Sequence, residues 1–437
     1  MSIKIIWKGM ITIKRVGYLF EKIADLNNIL NAHLHARQDK RFYYDVKRID
    51  KNPEKYCQQI SEILLNGTYE VSEYTEEIIN ERGKERLLQK LPYFPDRIIQ
   101  WAIMLQIEPY LTRQFVYHTC SSIPGRGQRR AIDLMASYLR DEKGTVYCLK
   151  IDIRHFYPSI DRTILKEKLR TIFKDPKLLQ LLDLIIDSPP GDTGVPIGSY
   201  ISQYLANFYL SKLDHQLKEV YHLPYVVRYA DDIVILHRSK ARLHFILNDL
   251  KFILDKYYHL EIKSNYQIFE VESRGVDFCG YVFYHNKILL RKSTKLSMIE
   301  KLTKIKEDWD NGIPLDIHSF GTINSYNGIL LFADTYNLYK KYFVDLLPAI
   351  RQYRQSHGIK HLEDMRQEDR FNRVFHKGIY DIDLHEYKES TRLIQMIQQF
   401  TSPDYEYNIE FQEELIKELK ACRKKPKEQK TGSQKKK

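Results

Sequence analysis

Two apolar runs separated by a pair of acidic residues constrain this chain more than any other feature. The stretch reads YVVRYADDIVILHRS, residues 225–239, with Asp231 and Asp232 at its centre. β-Branched and aromatic residues on both sides predict two strands, and the short polar break predicts a tight turn. Aspartate is common in such turns because it tolerates their backbone geometry. The stretch predicts a β-hairpin, and alone it leaves open whether the carboxylates do more than form the turn.

Composition narrows the class of protein. The 437 residues allow two or three domains, and an aromatic content of 12% is typical of a packed chain. The formal net charge is +12, and residues 423–437 hold eight basic residues against one acidic residue. We therefore expect a mildly basic body and a flexible basic tail, which is either a solubilising end or a contact for nucleic acid.

Cysteine usage and hydropathy exclude several other classes. The five cysteines are scattered without a Cys-x-x-Cys pair, which predicts neither a disulfide framework nor a zinc site. Lysines interrupt the apolar residues of MSIKIIWKGMITIKR, so no signal peptide is expected. No segment approaches the ~20 apolar residues of a membrane helix. We expect a cytoplasmic protein without a membrane partner.

Periodicity predicts an α+β fold with a central hairpin and helices at both ends. Residues 16–70 are predicted helical, with an apolar face that includes Leu19, Ile23 and Ile29. CLKIDIRHFYPSID predicts a strand, a loop and a helix capped by Asp161. Further helices are predicted in SYISQYLANFYLSKLD, in ARLHFILNDLKFILDKYY and from about residue 295 onward, and VDFCGYVFY has a strand-like pattern.

A third carboxylate accompanies the acidic pair. Asp152 ends the apolar strand CLKID about 80 residues before the hairpin. Mg²⁺ prefers hard oxygen ligands, and two such ions ~3.5–4 Å apart can stabilise both the attacking and the leaving oxygen of phosphoryl transfer. Crowded carboxylates repel one another without a cation. If the three side chains meet in space, they predict a two-metal phosphoryl-transfer site; if not, they are solvated turn residues.

Four motifs in this order resemble the reverse transcriptases of bacterial retroelements. They are KIDIRHFYPSID, GVPIGSYISQYLANFYLSKLD, RYADDIVIL and GVDFCGYVFY, and the resemblance covers roughly residues 60–345. It extends to the group II intron, diversity-generating retroelement and antiviral-defence types. It implies a right-hand polymerase with a helical region at 1–75, fingers and palm at 76–290, a helical thumb at 291–355 and a helical extension with a disordered basic tail at 356–437.

The resemblance also implies roles for individual residues. Asp152, Asp231 and Asp232 would be catalytic and would bind two Mg²⁺ ions with the carbonyl of Ile153; Mn²⁺ could substitute. An aromatic ring at Tyr157 would lie beneath the incoming sugar and exclude a 2′-hydroxyl. The nucleotide-binding set would be Lys84, Arg86, Tyr157, Ile197, Gly198, Gln203 and Lys263. Contacts to nucleic acid would come from Gly125, Arg126, Arg129, Arg130, Tyr229 and Gly280.

Two departures from the group II intron pattern bear on the subtype. Ile197 stands where those enzymes usually have glutamine, and the sequence from Ile197 to Gln203 is most similar to diversity-generating retroelement enzymes. Isoleucine offers only apolar contact where an amide could hydrogen-bond. The lysine that usually precedes the fourth motif has no plain counterpart, and Lys263 is the nearest candidate for a general acid to the departing pyrophosphate.

The resulting hypothesis is an RNA-directed DNA polymerase that copies a dedicated structured RNA, with low fidelity if it is of the diversity-generating type. Its partners would be template or noncoding RNA, a DNA or RNA primer, the cDNA product and deoxynucleoside triphosphates, and it could oligomerise. Three alternatives remain open: a defence enzyme whose synthesis is protein-primed or untemplated, a non-catalytic RNA-binding protein, and an RNA polymerase with a similar palm.

Overall fold

The computed structural model describes residues 15–81, 84–196 and 199–357, and it confirms the α+β prediction. The described chain forms two compact units. The first contains the residues up to Leu134 together with Asp141–Ser273, and the second contains Met135–Arg140 and the residues from Arg274 onward. The predicted domain boundaries at 75, 290 and 355 stay predictions.

Helices account for most of the described residues. In chain order the α-helices are α1 Phe20–Ile23, α2 Leu26–Ala36, α3 Tyr44–Asp50, α4 Pro53–Leu65, α5 Ile98–Thr112, α6 Gly127–Tyr138, α7 Arg162–Ile172, α8 Pro176–Asp187, α9 Tyr200–His215, α10 Lys240–Tyr258, α11 Val271–Arg274, α12 Lys292–Asp310, α13 Ile317–Leu330, α14 Tyr336–Tyr342 and α15 Leu347–Ser356. Short π-helical turns lie at Tyr93–Arg97 and Gln216–Val220, and 3₁₀ turns lie at Tyr157–Ser159 and Val344–Leu346.

The strands form three separate antiparallel sheets. They are β1 Thr75–Glu81, β2 Lys84–Lys90, β3 Tyr147–Asp152, β4 Val226–Tyr229, β5 Asp232–His237, β6 Gln267–Glu270, β7 Val276–Phe278, β8 Tyr281–Phe283 and β9 Ile288–Leu290. β1 pairs with β2, the central sheet has the order β4-β5-β3-β6, and β7, β8 and β9 pair in sequence order.

The first unit is built around the central sheet. Ile233, Val234, Ile235 and Leu236 of β5 are all buried, which is why this strand reads as a continuous apolar run. Helix α10 contacts β3, β5 and β6, and α9 lies in the same apolar core with Ile201, Leu205, Phe208 and Leu213 buried as predicted. The sheet is therefore held firmly behind the turn that joins β4 to β5.

Local sequence signals explain where the helices begin. Asp161 caps α7 as predicted, since its Oδ1 accepts a hydrogen bond of 2.9 Å from the amide of Ile164. The predicted helical face near the amino end is divided between α1 and α2. Asp25 lies between them and accepts hydrogen bonds from the amides of Asn27 and Asn28, so it starts a new helix there.

The second unit contains the fourth motif and the predicted helices after residue 295. β7 and β8 form a hairpin with a two-residue turn of Cys279 and Gly280, whose φ angles are 47° and 88°. Two positive φ angles are what a type I′ hairpin turn requires, and glycine adopts one of them without steric cost. Helices α12–α15 follow. The predicted extension beyond residue 357 lies outside the described residues, and the described helices include none long and apolar enough to cross a membrane.

Candidate active site

The three aspartates of the sequence prediction lie at one end of the central sheet. β3 and β5 are antiparallel neighbours, and their register places Asp152 directly opposite Asp232. Asp231 lies in the adjacent turn, and its carbonyl accepts a hydrogen bond of 3.3 Å from the amide of Ile153. Carboxylates that are about 80 residues apart in sequence are thus neighbours in space, because two strands end at the same edge.

The turn that carries Asp231 is tight. Tyr229 pairs with Asp232, which leaves Ala230 and Asp231 as the two loop residues. Ala230 has a φ of 56°, in the left-handed region that costs a non-glycine residue ~1–2 kcal/mol. The surrounding contacts must therefore hold this turn in its conformation.

Two lysines lie against the carboxylates. Nζ of Lys263 is 2.5 Å from Oδ1 of Asp152, and Nζ of Lys150 is 3.4 Å from Oδ2 of Asp232. Lys263 reaches this position because its amide donates to the carbonyl of Asp152, at 2.9 Å, beside the Ile153–Ile262 bridge. Lys263, which the sequence predicted to be a general acid to the departing pyrophosphate, therefore forms an ion pair with Asp152 in the structure.

Burial and mutual repulsion change the titration of the site. Burial raises the pKa of Asp232 to about 6, the ammonium of Lys150 opposes that rise, and the negative charges of Asp152 and Asp231 add to it. An ionised Asp232 is therefore costly at neutral pH without a further cation. The two lysines offset only part of the negative charge.

The donor set fits a divalent metal ion. Oδ1 of Asp232 is buried and has no hydrogen-bond partner among the described residues, and Oδ1 of Asp152 is buried with only the ion pair to Lys263. Unpartnered carboxylate oxygens favour a hard cation. Among the described residues, no group of three or more histidine, cysteine, aspartate or glutamate side chains is arranged to hold a metal ion by itself. Mg²⁺ is usually bound by one or two carboxylates together with substrate phosphates, so the oxygens of Asp152 and Asp232 would need the substrate to complete such a site.

Tyr157 lies beside this cluster. It begins a 3₁₀ turn five residues after Asp152, and its carbonyl accepts a hydrogen bond of 3.0 Å from the amide of Val195. Burial raises the pKa of Tyr157 to about 12, and the negative charge of Asp231 contributes to the rise. The phenol is therefore neutral, and the backbone of Tyr157 is hydrogen-bonded to the start of the second motif.

The second motif is described only in part, since Ile197 and Gly198 lie outside the described residues. Just beyond them, the hydroxyl of Ser199 donates to Oε1 of Gln100 on α5, at 2.7 Å. Gln203 lies half-buried on the first turn of α9. Tyr229, at the end of β4, is also half-buried.

The predicted phosphate contacts have varied surroundings. Lys84 and Arg86 lie on β2, but their side chains are outside the described part of the structure. The guanidinium of Arg126 donates to the carbonyls of Val116 and Thr119, at 2.6 and 3.0 Å, so it stabilises its own loop. Gly125 lies in the same loop and has a φ of 73°. Nε of Arg129 lies 3.9 Å from Oδ2 of Asp133, and the guanidinium of Arg130 lies over the ring of Tyr117. Gly280 lies in the β7–β8 turn of the second unit.

Sequence reasoning missed two positively charged residues that contact the site or its turn, Lys150 and Arg228, and a third, Arg162, that contacts the segment leading into the second motif. Lys150 could have been found from the sequence, because it lies two positions before Asp152 on the same strand and therefore on the same face of the sheet. Arg228 interrupts the apolar run of β4 and is fully buried. Arg162 is the first residue of α7, directly after the cap Asp161. Its guanidinium donates hydrogen bonds to five backbone carbonyls between the end of α8 and the start of the second motif: those of Asp187, Pro190, Gly191, Thr193 and Gly194.

Comparison with known protein families adds evidence that is independent of this geometry. Residues 78–283 match the model of the family described as reverse transcriptase (RNA-dependent DNA polymerase). The matched interval is slightly less than half of the chain, and it includes the four strands of the central sheet and all three aspartates.

Among curated proteins, protein YkfC of Escherichia coli (strain K12) is 27% identical over 169 residues. The alignment covers 36% of this chain and 44% of YkfC, so the chain spans less than half the length of this curated relative.

Solved structures that align with the chain include two yeast telomerases. Telomerase from Candida albicans, solved with a fragment of telomeric RNA, gives a TM-score of 0.43 at 10% identity over 84% of this chain and 71% of that chain. Apo telomerase from Candida tropicalis gives a TM-score of 0.41 at 11% identity over 80% and 69%.

Proposed function

We propose that the protein is an RNA-directed DNA polymerase of a bacterial retroelement, since residues 78–283 match the model of the reverse transcriptase family. It would extend a DNA or RNA primer on an RNA template with deoxynucleoside triphosphates. The primer 3′-hydroxyl would attack the α-phosphate, a new phosphodiester bond would form, and pyrophosphate would leave.

One observation carries the proposal: Asp152 lies opposite Asp232 across paired strands, and Asp231 lies in the adjoining turn. Phosphoryl transfer needs little covalent chemistry from the protein, and positioning with charge stabilisation supplies most of its catalysis. A rigid sheet edge that gathers acidic oxygens is suited to that task. A non-catalytic RNA-binding protein would have no use for a partly buried carboxylate whose pKa is raised to about 6.

Two Mg²⁺ ions, once bound, would neutralise the developing charge on the attacking and leaving oxygens. Asp152 and Asp231 are the residues that would hold them, with the carbonyl of Ile153 and the adjacent Asp232. The buried, unpartnered oxygen of Asp232 supports this assignment. Lys150 and Lys263 would lower the repulsion among the carboxylates until the ions bind.

The substrate would be chosen by the ring of Tyr157. The effect of the Asp231 charge on the phenol supports a position of the ring near the incoming nucleotide, where a bulky ring beneath the sugar would leave no room for a 2′-hydroxyl. Its neutral phenol adds no charge that would repel the triphosphate. We assign the selection of deoxynucleotides over ribonucleotides to this side chain.

The subtype is proposed from the second motif. Ile197, Gly198, Ser202 and Gln203 follow the pattern of diversity-generating retroelement enzymes, so the template would be a dedicated structured RNA copied with low fidelity. A related antiviral-defence enzyme that copies an associated noncoding RNA is the second candidate, since this motif is compatible with both. For both subtypes we propose that the protein is located in the cytoplasm.

Single-nucleotide extension would test the activity. Purified protein is given a primer on four RNA templates that differ in the next base, with one deoxynucleoside triphosphate at a time and Mg²⁺. We expect each template to direct the addition of its complementary nucleotide, and misincorporation opposite adenine would support the diversity-generating subtype. Addition that ignores the template base would indicate untemplated synthesis. No addition on any template would contradict the proposed activity.

A further inference from the structure

A buried ion pair lies directly behind the β4–β5 turn. Arg228 of β4 and Asp214 of α9 are both fully buried. Nε of Arg228 donates to Oδ1 of Asp214 at 2.8 Å, and its Nη2 donates to the second carboxylate oxygen, so the pair is bidentate. The hydroxyl of Thr119 donates a further hydrogen bond of 2.9 Å to Oδ2 of Asp214.

The rest of the guanidinium is fully hydrogen-bonded. Nη1 of Arg228 donates to Oδ1 of Asn207 at 3.1 Å and to the carbonyl of Ala230 at 3.0 Å, and Nη2 donates to the carbonyl of Asn207 at 3.4 Å. Asn207 is fixed in turn because its amide donates to the carbonyl of Ser121 at 2.7 Å. An arginine has five N–H donors, and Arg228 uses all five.

Stability alone is a weak reason for this arrangement. The desolvation of two charges offsets much of their attraction, and apolar residues of similar volume often replace a buried pair without loss. Among the bonds that Arg228 makes outside the pair, the bond to the carbonyl of Ala230 is the one that reaches the turn. That residue precedes Asp231, and its left-handed φ of 56° is a strained conformation that needs support.

We infer that Arg228 is a positioning residue that holds the Ala230–Asp231 turn in the conformation required for metal binding, with Asp214 and Asn207 orienting its guanidinium. The inference rests on the proposed function, since it assigns a task within the same site. Fixing the carbonyl of Ala230 fixes the peptide plane before Asp231 and therefore the direction of that carboxylate relative to Asp152. The neutralised pair adds no net charge, so its effect is geometric.

The test compares Arg228→Lys with Thr119→Val in the full chain. Lysine keeps the charge next to Asp214 but loses the planar fork that also reaches Ala230, whereas Thr119→Val removes a bond to Asp214 and leaves the turn contact intact. Mn²⁺ binding to the purified protein, without nucleotide, is measured by calorimetry. We expect Arg228→Lys to weaken Mn²⁺ binding about tenfold or more and Thr119→Val to leave it within about twofold of wild type.

Polymerase kinetics give a second readout. We expect Arg228→Lys to lower kcat about tenfold or more and to raise the Mg²⁺ concentration for half-maximal rate, with little change in KM for the nucleotide. A role in folding alone would lower the active fraction without moving the Mg²⁺ dependence. If the wild type has no polymerase activity, the proposed function fails, but the Mn²⁺ comparison still decides the inference.

A second variant allows the test to be made even if Arg228→Lys does not fold. The double change Arg228→Met with Asp214→Leu replaces the pair by apolar groups of similar size, and we expect it to fold with the same defect in Mn²⁺ binding. Wild-type Mn²⁺ binding in either folded variant would overturn the inference. Failure of both variants to fold would assign the network to folding instead and would overturn it as well.

Discussion

The ammonium of Lys263 lies 2.5 Å from Oδ1 of Asp152, so a residue expected to face the departing pyrophosphate instead contacts a carboxylate of the metal site. A divalent ion that bound the same oxygen would have to displace this ammonium. The contact makes Lys263 a competitor of the metal in the free protein, in addition to any later role with the nucleotide.

Replacing Lys263 by methionine should therefore tighten metal binding. We expect the Mn²⁺ dissociation constant of Lys263→Met to fall about threefold to tenfold, because a nearby positive charge disfavours the ion by about 1 kcal/mol at a partly exposed site. Lys251→Met is the matched control, since that ammonium lies over the ring of Tyr266. A lower kcat with unchanged Mn²⁺ affinity would instead support the general-acid role.

Asp232 gives the metal-free protein a distinct pH dependence. Because its folded pKa is about 6, above the ordinary value of 3.8, the cost of ionising it in the folded state is fully present above pH 6. That cost disappears as the pH falls from about 6 towards 4, where the folded protein takes up the proton. Asp232→Asn should therefore stabilise the metal-free protein at pH 8, by about 1–3 kcal/mol, and have little effect near pH 4.

Urea unfolding in the presence of a chelator, at pH 4.5 and pH 8, measures this difference. Asp187→Asn, a change at a half-exposed carboxylate that pairs with Lys166, should show no such gain at pH 8. A destabilised Asp232→Asn protein at pH 8 would mean that the ion pair with Lys150 outweighs the burial cost.

Tyr157 should set the sugar preference. Tyr157→Val removes the ring and is expected to reduce discrimination against ribonucleoside triphosphates by about tenfold or more, whereas Tyr157→Phe keeps the ring and should discriminate as the wild type does. The measurement is the ratio of kcat/KM for a deoxynucleotide and the matching ribonucleotide on one primed template. Undiminished discrimination in Tyr157→Val would place the selecting group elsewhere.

Three strands of the central sheet, β3, β4 and β5, could be predicted from the sequence because their signals are local, whereas β6 was not predicted. A continuous apolar run marks a strand buried on both faces, and the acidic pair marks the turn between β4 and β5. The β1–β2 pairing was missed because half of the residues of TEEIINE and KERLLQK are charged. Their pairing joins residues of different strands, as in the contact between Lys90 and Glu77.

The residues that contact the aspartates and their turn from elsewhere in the chain could not be predicted in the same way. Arg228 is visible as a charge within an apolar strand, but its partner Asp214 comes from the preceding helix, and only the packed structure brings the two together. Lys263 reaches Asp152 from more than a hundred residues away through the strand-like contact beside β3. Such long-range pairs depend on tertiary packing, which a single sequence pattern does not encode.

The basic tail offers a test that does not involve the sheet. Removing residues 423–437 deletes eight cations, and we expect weaker RNA binding with a shallower salt dependence, since each neutralised phosphate contributes about −0.7 to −0.9 to the log–log slope. Turnover on saturating primed template should barely change. Filter binding across a salt series gives the slope, and an identical slope in the truncated protein would make the tail a solubilising end.

The central claim is that Asp152, Asp231 and Asp232 together catalyse DNA synthesis on RNA. The most direct measurement is Mg²⁺-dependent incorporation of deoxynucleotides on a primed RNA template, comparing wild type with the double variant Asp231→Ala and Asp232→Ala and with the control Asp187→Ala. We expect wild-type activity in the control and none above detection in the double variant, because positioning and metal electrostatics supply most of the catalysis. Equal incorporation by the double variant and the wild type would contradict it.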